Sequence, residues 1–216
     1  MPNDLTARLL DASVATIAAH AEELTSLDQA IGDGDHGINM KRGFDAVAET
    51  RDALAGLALP EALQKAGMTL VMKVGGASGP LYGSLLMAMG KAKGMPPATI
   101  EDVATMLEAG IEAVKKRGKS EAGEKTMLDV LVPVGDCLAR FRKVDGLDAR
   151  LLGELRTIAD AGLEATRELQ ATKGRASFLG ERSVGHLDPG ARSSQLLVHA
   201  VCEVLEQDVL EQEVGA

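Results

Sequence analysis

Aromatic side chains are almost missing from this chain. Phe44, Tyr82, Phe141 and Phe178 are all it has among 216 residues. The core must therefore be built from Leu, Val, Ile, Met and Ala, a set that suits closely packed helices. Cysteine is also scarce. Cys137 and Cys202 are too few for a disulfide framework and too isolated for a zinc site, so two buried thiols in a reducing cytoplasm are expected. No apolar run reaches the ~18 residues of a membrane span. The opening MPNDLTARLL lacks the basic-then-apolar order of a signal peptide. Excess positive charge is absent too: the net charge of −9 argues against nucleic acid as the main partner. An acidic protein that handles phosphates is expected to use metal ions, helix N-termini or a few placed cations.

Strand alternation is the next absence, and helical spacing takes its place throughout. Leu5, Leu9, Val14, Ile17, Ala18, Ala21 and Leu24 predict a first helix over residues 4–26. Met40, Phe44, Val47, Leu54 and Leu57 predict a second from about Ile38. Pro60 suits the first turn of a third, through Leu63, Leu70 and Val71. Leu85 to Met89 belong to a fourth that starts at Pro80 or Leu81. Thr99 with Asp102 resembles a capping box for a fifth, which ends near Gly118. A sixth runs from Thr126 to about Arg142, kinked or shortened by Pro133. A seventh carries Leu151, Leu155, Ile158 and Leu163, and an eighth Leu196, Leu197, Val201, Val204 and Leu205. With no internal repeat, the expectation is one all-α domain of eight helices over residues 1–216.

Between the first two helices lies Leu27-Asp28-Gln29-Ala30-Ile31-Gly32-Asp33-Gly34-Asp35-His36-Gly37. Crowded carboxylates repel and glycine forms helix poorly, so local stability does not explain this stretch. A bound cation with an anionic ligand does. The formal match to G-x-G-x-x-G is false, because no strand precedes it. An EF-hand loop fails because its sixth position would be Ile38 and its twelfth Phe44. No Walker A loop is present either: Gly118-Lys119-Ser120 resembles its end, but Ala113 stands where the first glycine belongs. Asp28, Asp33 and Asp35, at offsets of 0, 5 and 7 across a glycine-rich turn, could converge on one point as hard oxygen ligands for Mg²⁺. The alternative is that they form turns and cap helices. His36 could donate to a phosphate oxygen or fix the turn. Gly37, Ile38 and Asn39 would open a helix with their N–H groups toward an anion, and the Asn39 amide could orient a phosphate or a metal-bound water.

Gly75 to Gly83 forms a second candidate phosphate loop, with Ser78 as its hydroxyl and a helix start behind it. In the last irregular segment, Arg175 is a candidate phosphate clamp. Asp188-Pro189-Gly190 is a turn that could close over a base or ribose, and Met127 could line an apolar adenine pocket. Each of these has an ordinary structural alternative.

Together these blocks resemble the nucleotide-binding domain of the dihydroxyacetone kinase family. The resemblance is carried by Leu27-Asp28 with Ile31 to Gly37, by Asn39-Met40 with Arg42-Gly43-Phe44, and by Gly75 to Gly83. Gly123-Glu124-Lys125-Thr126-Met127, Lys173-Gly174-Arg175-Ala176-Ser177, Gly180 to Ser183, Gly185-His186, Asp188 to Ala191 and Ser193-Ser194 also match, in order along nearly the whole chain. A domain standing alone is most similar to the ADP-binding L subunits of the phosphotransferase-system-dependent branch. The resemblance implies a barrel of eight antiparallel helices with the nucleotide at one end. It implies that Asp28, Asp33 and Asp35 ligate two Mg²⁺ ions. It also implies that His36 to Asn39, Ala77, Ser78, Gly118, Met127, Arg175 and Asp188 to Gly190 surround ADP or ATP. Asp28, Asp33, Asp35, His36 and Arg175 are then the candidates nearest the chemistry. The family often has Thr where this chain has Ala77, so a hydroxyl contact is lost there.

By the same resemblance, a separate K subunit holds dihydroxyacetone, and a phosphohistidine on a third subunit rephosphorylates ADP in place. The substrate-binding domain cannot fit in this length, so the chain alone is expected to phosphorylate nothing. Two other readings are an ATP-dependent kinase subunit for another small ketose such as a tetrulose, and a nucleotide-dependent protein that docks on a transcriptional regulator. Neither nucleic acid nor membrane is an expected partner, and the chain is expected to be a homodimer or a monomer.

Overall fold

The computed structural model describes residues 4–93, 95–144 and 146–214, and among these the regular structure is entirely helical. The first expected helix is divided. Helix α1 covers Asp4–Ala19 and α2 covers Ala21–Ile31, with His20 (φ −106°, ψ 9°) between them and its ring against Glu23 Oε2 at 2.7 Å. The second is divided too, into α3 (His36–Ala48) and α4 (Arg51–Ala55), where Thr50 turns its hydroxyl back onto the Val47 carbonyl. No proline or glycine marks either break.

Helix α5 (Leu59–Lys73) has Pro60 in its first turn, as expected. Helix α6 (Ser78–Ala92) begins at Ser78, ahead of Pro80, so the second glycine loop is shorter than the sequence suggests. These two helices meet backbone to backbone. A Cβ built on Gly83 would stand 2.7 Å from the Gly67 carbonyl oxygen, and one on Gly67 2.8 Å from that of Gly83. Glycine is required there by close approach, and the seam fixes both ends of the 74–77 loop.

Helix α7 (Ile100–Gly118) starts with the expected reciprocal capping box between Thr99 and Asp102. Helix α8 (Leu128–Arg140) runs through Pro133 instead of ending at it. A proline leaves the carbonyl four residues earlier without its helical partner, here that of Asp129. Gly162 of helix α9 (Ala149–Ala165) makes room for that oxygen: a Cβ at Gly162 would lie 2.4 Å from it. A 3-10 segment, Arg175–Ser183, is interrupted at Gly180 (φ 56°), and helix α10 (Pro189–Val214) completes the described chain.

Packing follows a closed order. Helix α1 packs on α3, α3 on α5, α5 on α6, α6 on α7, α7 on α8, α8 on α9, α9 on α10, and α10 returns to α1. The shared core is aliphatic, as the shortage of aromatics requires: Ile17, Leu24, Met40, Leu70, Leu128, Val130 and Leu152 are fully buried in it. Burying each such side chain is worth about 1.5–3 kcal/mol. Of the aromatics, Phe44 and Tyr82 join this core, whereas Phe178 is 87% exposed. Among the described residues, no helix is long and apolar enough to cross a membrane.

Candidate functional site

The acidic stretch is part helix and part turn. Asp28 lies in the last turn of α2, not in a loop, and Gly32, Asp33 and Gly34 reverse the chain before α3. Gly34 takes φ +74°, which favours glycine. Gly32 is required by space, since a Cβ there would stand 2.1 Å from Asp28 Oδ1. The buried Asp28 carboxylate accepts the N–H groups of Asp35 (2.8 Å) and His36 (3.1 Å), so it caps α3 from a distance. The helix-capping alternative therefore holds for Asp28. One carboxylate oxygen each from Asp28, Asp33 and Asp35 lies within 4.8 Å of the other two. Like charges at about this separation repel by roughly 1 kcal/mol in water and about 4 kcal/mol near a protein surface. Three hard oxygen donors this close fit a small divalent cation such as Mg²⁺. From the 3-10 segment, Arg175 Nε reaches Asp33 Oδ2 at 2.8 Å.

His36 is buried and both ring nitrogens are engaged: Nδ1 lies 2.9 Å from Ser78 Oγ, and Nε2 lies 2.9 Å from Ser193 Oγ. Burial holds its pKa below the ordinary histidine value, against the opposing pull of Asp28 and Asp35. The imidazole thus links two serines. The chain of polar groups continues inward. The Tyr82 hydroxyl lies 2.7 Å from Ser193 Oγ and 2.8 Å from Ser194 Oγ, and it donates to the Gly190 carbonyl at 3.2 Å. Burial pushes the Tyr82 phenol up to about 12. This relay ties the start of α6 to the start of α10 through the start of α3.

The far side is set by different residues. Asp188, buried, accepts the Ala191 N–H at 2.7 Å and donates its own N–H to Thr166 Oγ1 at 3.1 Å, so it caps α10 and fastens it to the end of α9. Burial pushes its carboxyl up to about 7. Asp129 accepts the N–H groups of Gly123 and Thr126 (2.7 Å for the latter) and so shapes the turn before α8. Lys125 in that turn is 1% exposed, has φ 61°, and donates from Nζ to the carbonyls of Thr166 and His186.

A cavity of about 570 Å³ joins the two sides, well within the range of small-molecule sites. Of the residues singled out by sequence, Asp28, Asp33, Asp35, His36, Ala77, Ser78, Gly118, Met127, Arg175, Asp188, Pro189 and Gly190 line it. Gly37, Ile38 and Asn39 do not. Gly37 packs α3 on α2, where a Cβ would stand 1.9 Å from the Ala21 carbonyl oxygen. The Ile38 side chain is exposed, in a groove with Lys41 and Arg42. Asn39 Oδ1 is taken by Arg42 Nη2 at 2.7 Å, while Arg42 Nε donates to the Lys73 carbonyl at 2.9 Å. Arg42 and Asn39 thus support the 74–77 loop from behind.

Sequence reasoning gave no role to Tyr82, Lys125, Ser193 or Ser194. Each stands inside one of the blocks that carried the resemblance, which was the available signal.

Comparison with known proteins agrees with this architecture. The DAK2 domain matches residues 30–203. The chain is 49% identical over 180 residues to the ADP-binding subunit DhaL of PEP-dependent dihydroxyacetone kinase 1 from Listeria innocua, covering 83% of this chain and 85% of that protein. It is 42% identical over 182 residues to the corresponding DhaL subunit from Escherichia coli, covering 84% and 87%. The crystal structure of the C. freundii dihydroxyacetone kinase in complex with AMP-PNP and Mg²⁺ superposes with a TM-score of 0.72 at 25% identity, covering 94% of this chain and 34% of that one. The chain therefore spans about a third of the length of that kinase. Matched over most of its length by the domain and over most of theirs by separate subunits, this chain belongs to the DAK2 domain family.

Proposed function

We propose that the chain, as one nucleotide-binding domain over residues 1–216 in a closed helical barrel, is the ADP-binding phosphotransfer subunit of a dihydroxyacetone kinase. It would hold Mg-ADP or Mg-ATP and pass the γ-phosphoryl to dihydroxyacetone on a separate K subunit. A phosphohistidine-carrying subunit would then restore the triphosphate in place. The observation that carries this reading is the convergence of Asp28, Asp33 and Asp35 on a cavity that Met127 and Pro189-Gly190 also line. The names of the Listeria innocua and Escherichia coli relatives point the same way.

In this reading Asp28, Asp33 and Asp35 bind two Mg²⁺ ions. When bound, the ions neutralise the carboxylates and the nucleotide phosphates and stabilise charge that develops on the transferred phosphoryl. Ser78 presents its hydroxyl and the N-terminus of α6 to the phosphates, and His36 holds that hydroxyl in place. Arg175 leaves Asp33 for a phosphate oxygen and supplies positive charge in the transition state. No group on this chain need act as a base toward the ketose. Two free, buried thiols, Cys137 and Cys202, are consistent with a cytoplasmic setting.

The test is acceptor phosphorylation by the purified chain together with a K subunit and a phosphohistidine subunit. The chain alone should phosphorylate nothing, the complete set should produce dihydroxyacetone phosphate, and Asp33→Ala should abolish it. Unchanged turnover with Asp33→Ala would sink the proposal.

A further inference from the structure

Lys125 is the largest fully buried side chain among the described residues, and it takes a left-handed backbone conformation (φ 61°) that non-glycine residues seldom adopt. Burying an ammonium is costly, and an apolar residue of similar volume would fill such a site at less expense. Strain and a buried charge at one residue on a cavity wall indicate a task beyond packing.

The ammonium joins three separate pieces of chain. It sits in the turn 123–127, and it donates to the carbonyl of Thr166 at the end of α9 and to the carbonyl of His186 before α10. Asp188 and Asp129 face it as opposite charges, while Arg167 and Glu168 are the other charged neighbours. Two of the pieces line the cavity: Met127 lies two residues beyond Lys125, and Asp188 to Gly190 begin two residues beyond His186. Thr166 adds a second tie, because its hydroxyl accepts the Asp188 N–H. None of the hydrogen bonds of Lys125 goes to the acidic turn or to the 74–77 loop.

We infer that Lys125 is a positioning residue for the nucleoside end of the bound nucleotide, a clamp that holds the Met127 turn against the Asp188–Gly190 turn, where Gly190 lies close to Met127, and so sets how long the nucleotide stays. The inference rests on the nucleotide reading above. It assigns Lys125 no part in binding metal or phosphate.

The experiment compares two ligands of the full-length chain, Mg-ADP and Mg-pyrophosphate, which has the phosphates without the nucleoside. Lys125→Met should bind Mg-ADP at least about tenfold more weakly and release it correspondingly faster, with Mg-pyrophosphate affinity unchanged within about twofold. Phosphoryl transfer at saturating nucleotide with the partner subunits should persist. A parallel loss of both ligands would show a general structural role and overturn the clamp, as would a folded variant that binds both ligands like the original chain. Lys125→Gln, which keeps a neutral donor on a shorter stem, is the second variant should Lys125→Met not fold, and the same split is expected of it. The unaltered chain tests the underlying reading separately. If it shows no preference for Mg-ADP over Mg-pyrophosphate, the nucleotide site itself is wrong; if it does and the variants keep that preference, only the clamp is wrong.

Discussion

Arg175 rests its guanidinium on Asp33, Nε to Oδ2 at 2.8 Å, so a cation from the 3-10 segment occupies one of the three carboxylates that the acidic turn gathers. Both side chains are well exposed, and such pairs are worth at most about 1 kcal/mol. The contact is strong enough to offset some of the crowded negative charge and weak enough to be exchanged for a better partner.

Arg175→Gln should therefore act in opposite directions on two measurements. Affinity of the nucleotide-free chain for Mn²⁺ should rise about two- to fivefold, because the ion no longer competes with the guanidinium. Phosphoryl transfer with the partner subunits should fall about 100-fold or more, as expected when a charge-stabilising group is removed. A spin-resonance titration of Mn²⁺ and a coupled phosphorylation assay read the two effects. An unchanged Mn²⁺ affinity would mean that the pair does not compete.

Tyr82→Phe removes one hydroxyl on which Ser193, Ser194 and the Gly190 carbonyl all converge. The groups left behind are buried, and an unsatisfied buried partner costs about 1–3 kcal/mol. Urea denaturation should show a loss of that size with an unchanged slope. A loss below about 0.5 kcal/mol would mean that the serines find other partners.

Two glycines with opposite surroundings should respond oppositely to alanine. Gly83→Ala puts a methyl 2.7 Å from the Gly67 carbonyl and into the Val71 side chain, and should destabilise by about 1–3 kcal/mol or more. Gly153 lies inside α9 with nothing within 4 Å of its added Cβ. Gly153→Ala should stabilise by about 0.5–1 kcal/mol. Thermal melts of the two variants check both signs.

Asp188 makes the stability of the nucleotide-free chain depend on pH. Burial pushes its carboxyl up to about 7, against the Ala191 N–H and Lys125, while the Asp129 charge adds to the rise. A carboxyl with a folded pKa above its unfolded value holds its proton more tightly in the folded chain. The folded state therefore loses stability as pH rises from the ordinary carboxylate range to about 7, and loses no more above it. Asp188→Asn keeps the cap on Ala191 and has no such loss. Its advantage in melting temperature over the unaltered chain should widen from pH 5 to about 7 and then level off. A gap independent of pH would show that Asp188 is ionised throughout.

The acidic turn was legible in the sequence because its signals are local. Aspartates and glycines within a few residues of one another have few ways to be arranged, and elimination of other loops left metal and phosphate. The capping box at Thr99 and the start of α5 at Pro60 were legible for the same reason. The breaks at His20 and Thr50 were not, since neither carries a breaker and both depend on packing. Asp28 read as a loop residue although α2 continues through it, because the glycines beyond it dominate the local composition. Gly37, Ile38 and Asn39 are expected to turn their N–H groups toward an anion; none of them lines the cavity, and the small size of Gly37 serves the contact with Ala21. The Lys125 clamp joins residues 41 and 61 positions apart, a separation at which no spacing rule operates.

The glycine seam between α5 and α6 has a dynamic consequence. Where two backbones touch, no layer of side chains remains to slide or re-pack, so the 74–77 loop must move with both helices or not at all. The helical amides of α5 and α6 at the seam should be among the slowest in the cavity wall to exchange with deuterium. The 3-10 segment, held by short turns and broken at Gly180, has no such seam, and faster exchange is expected on the side that carries Arg175.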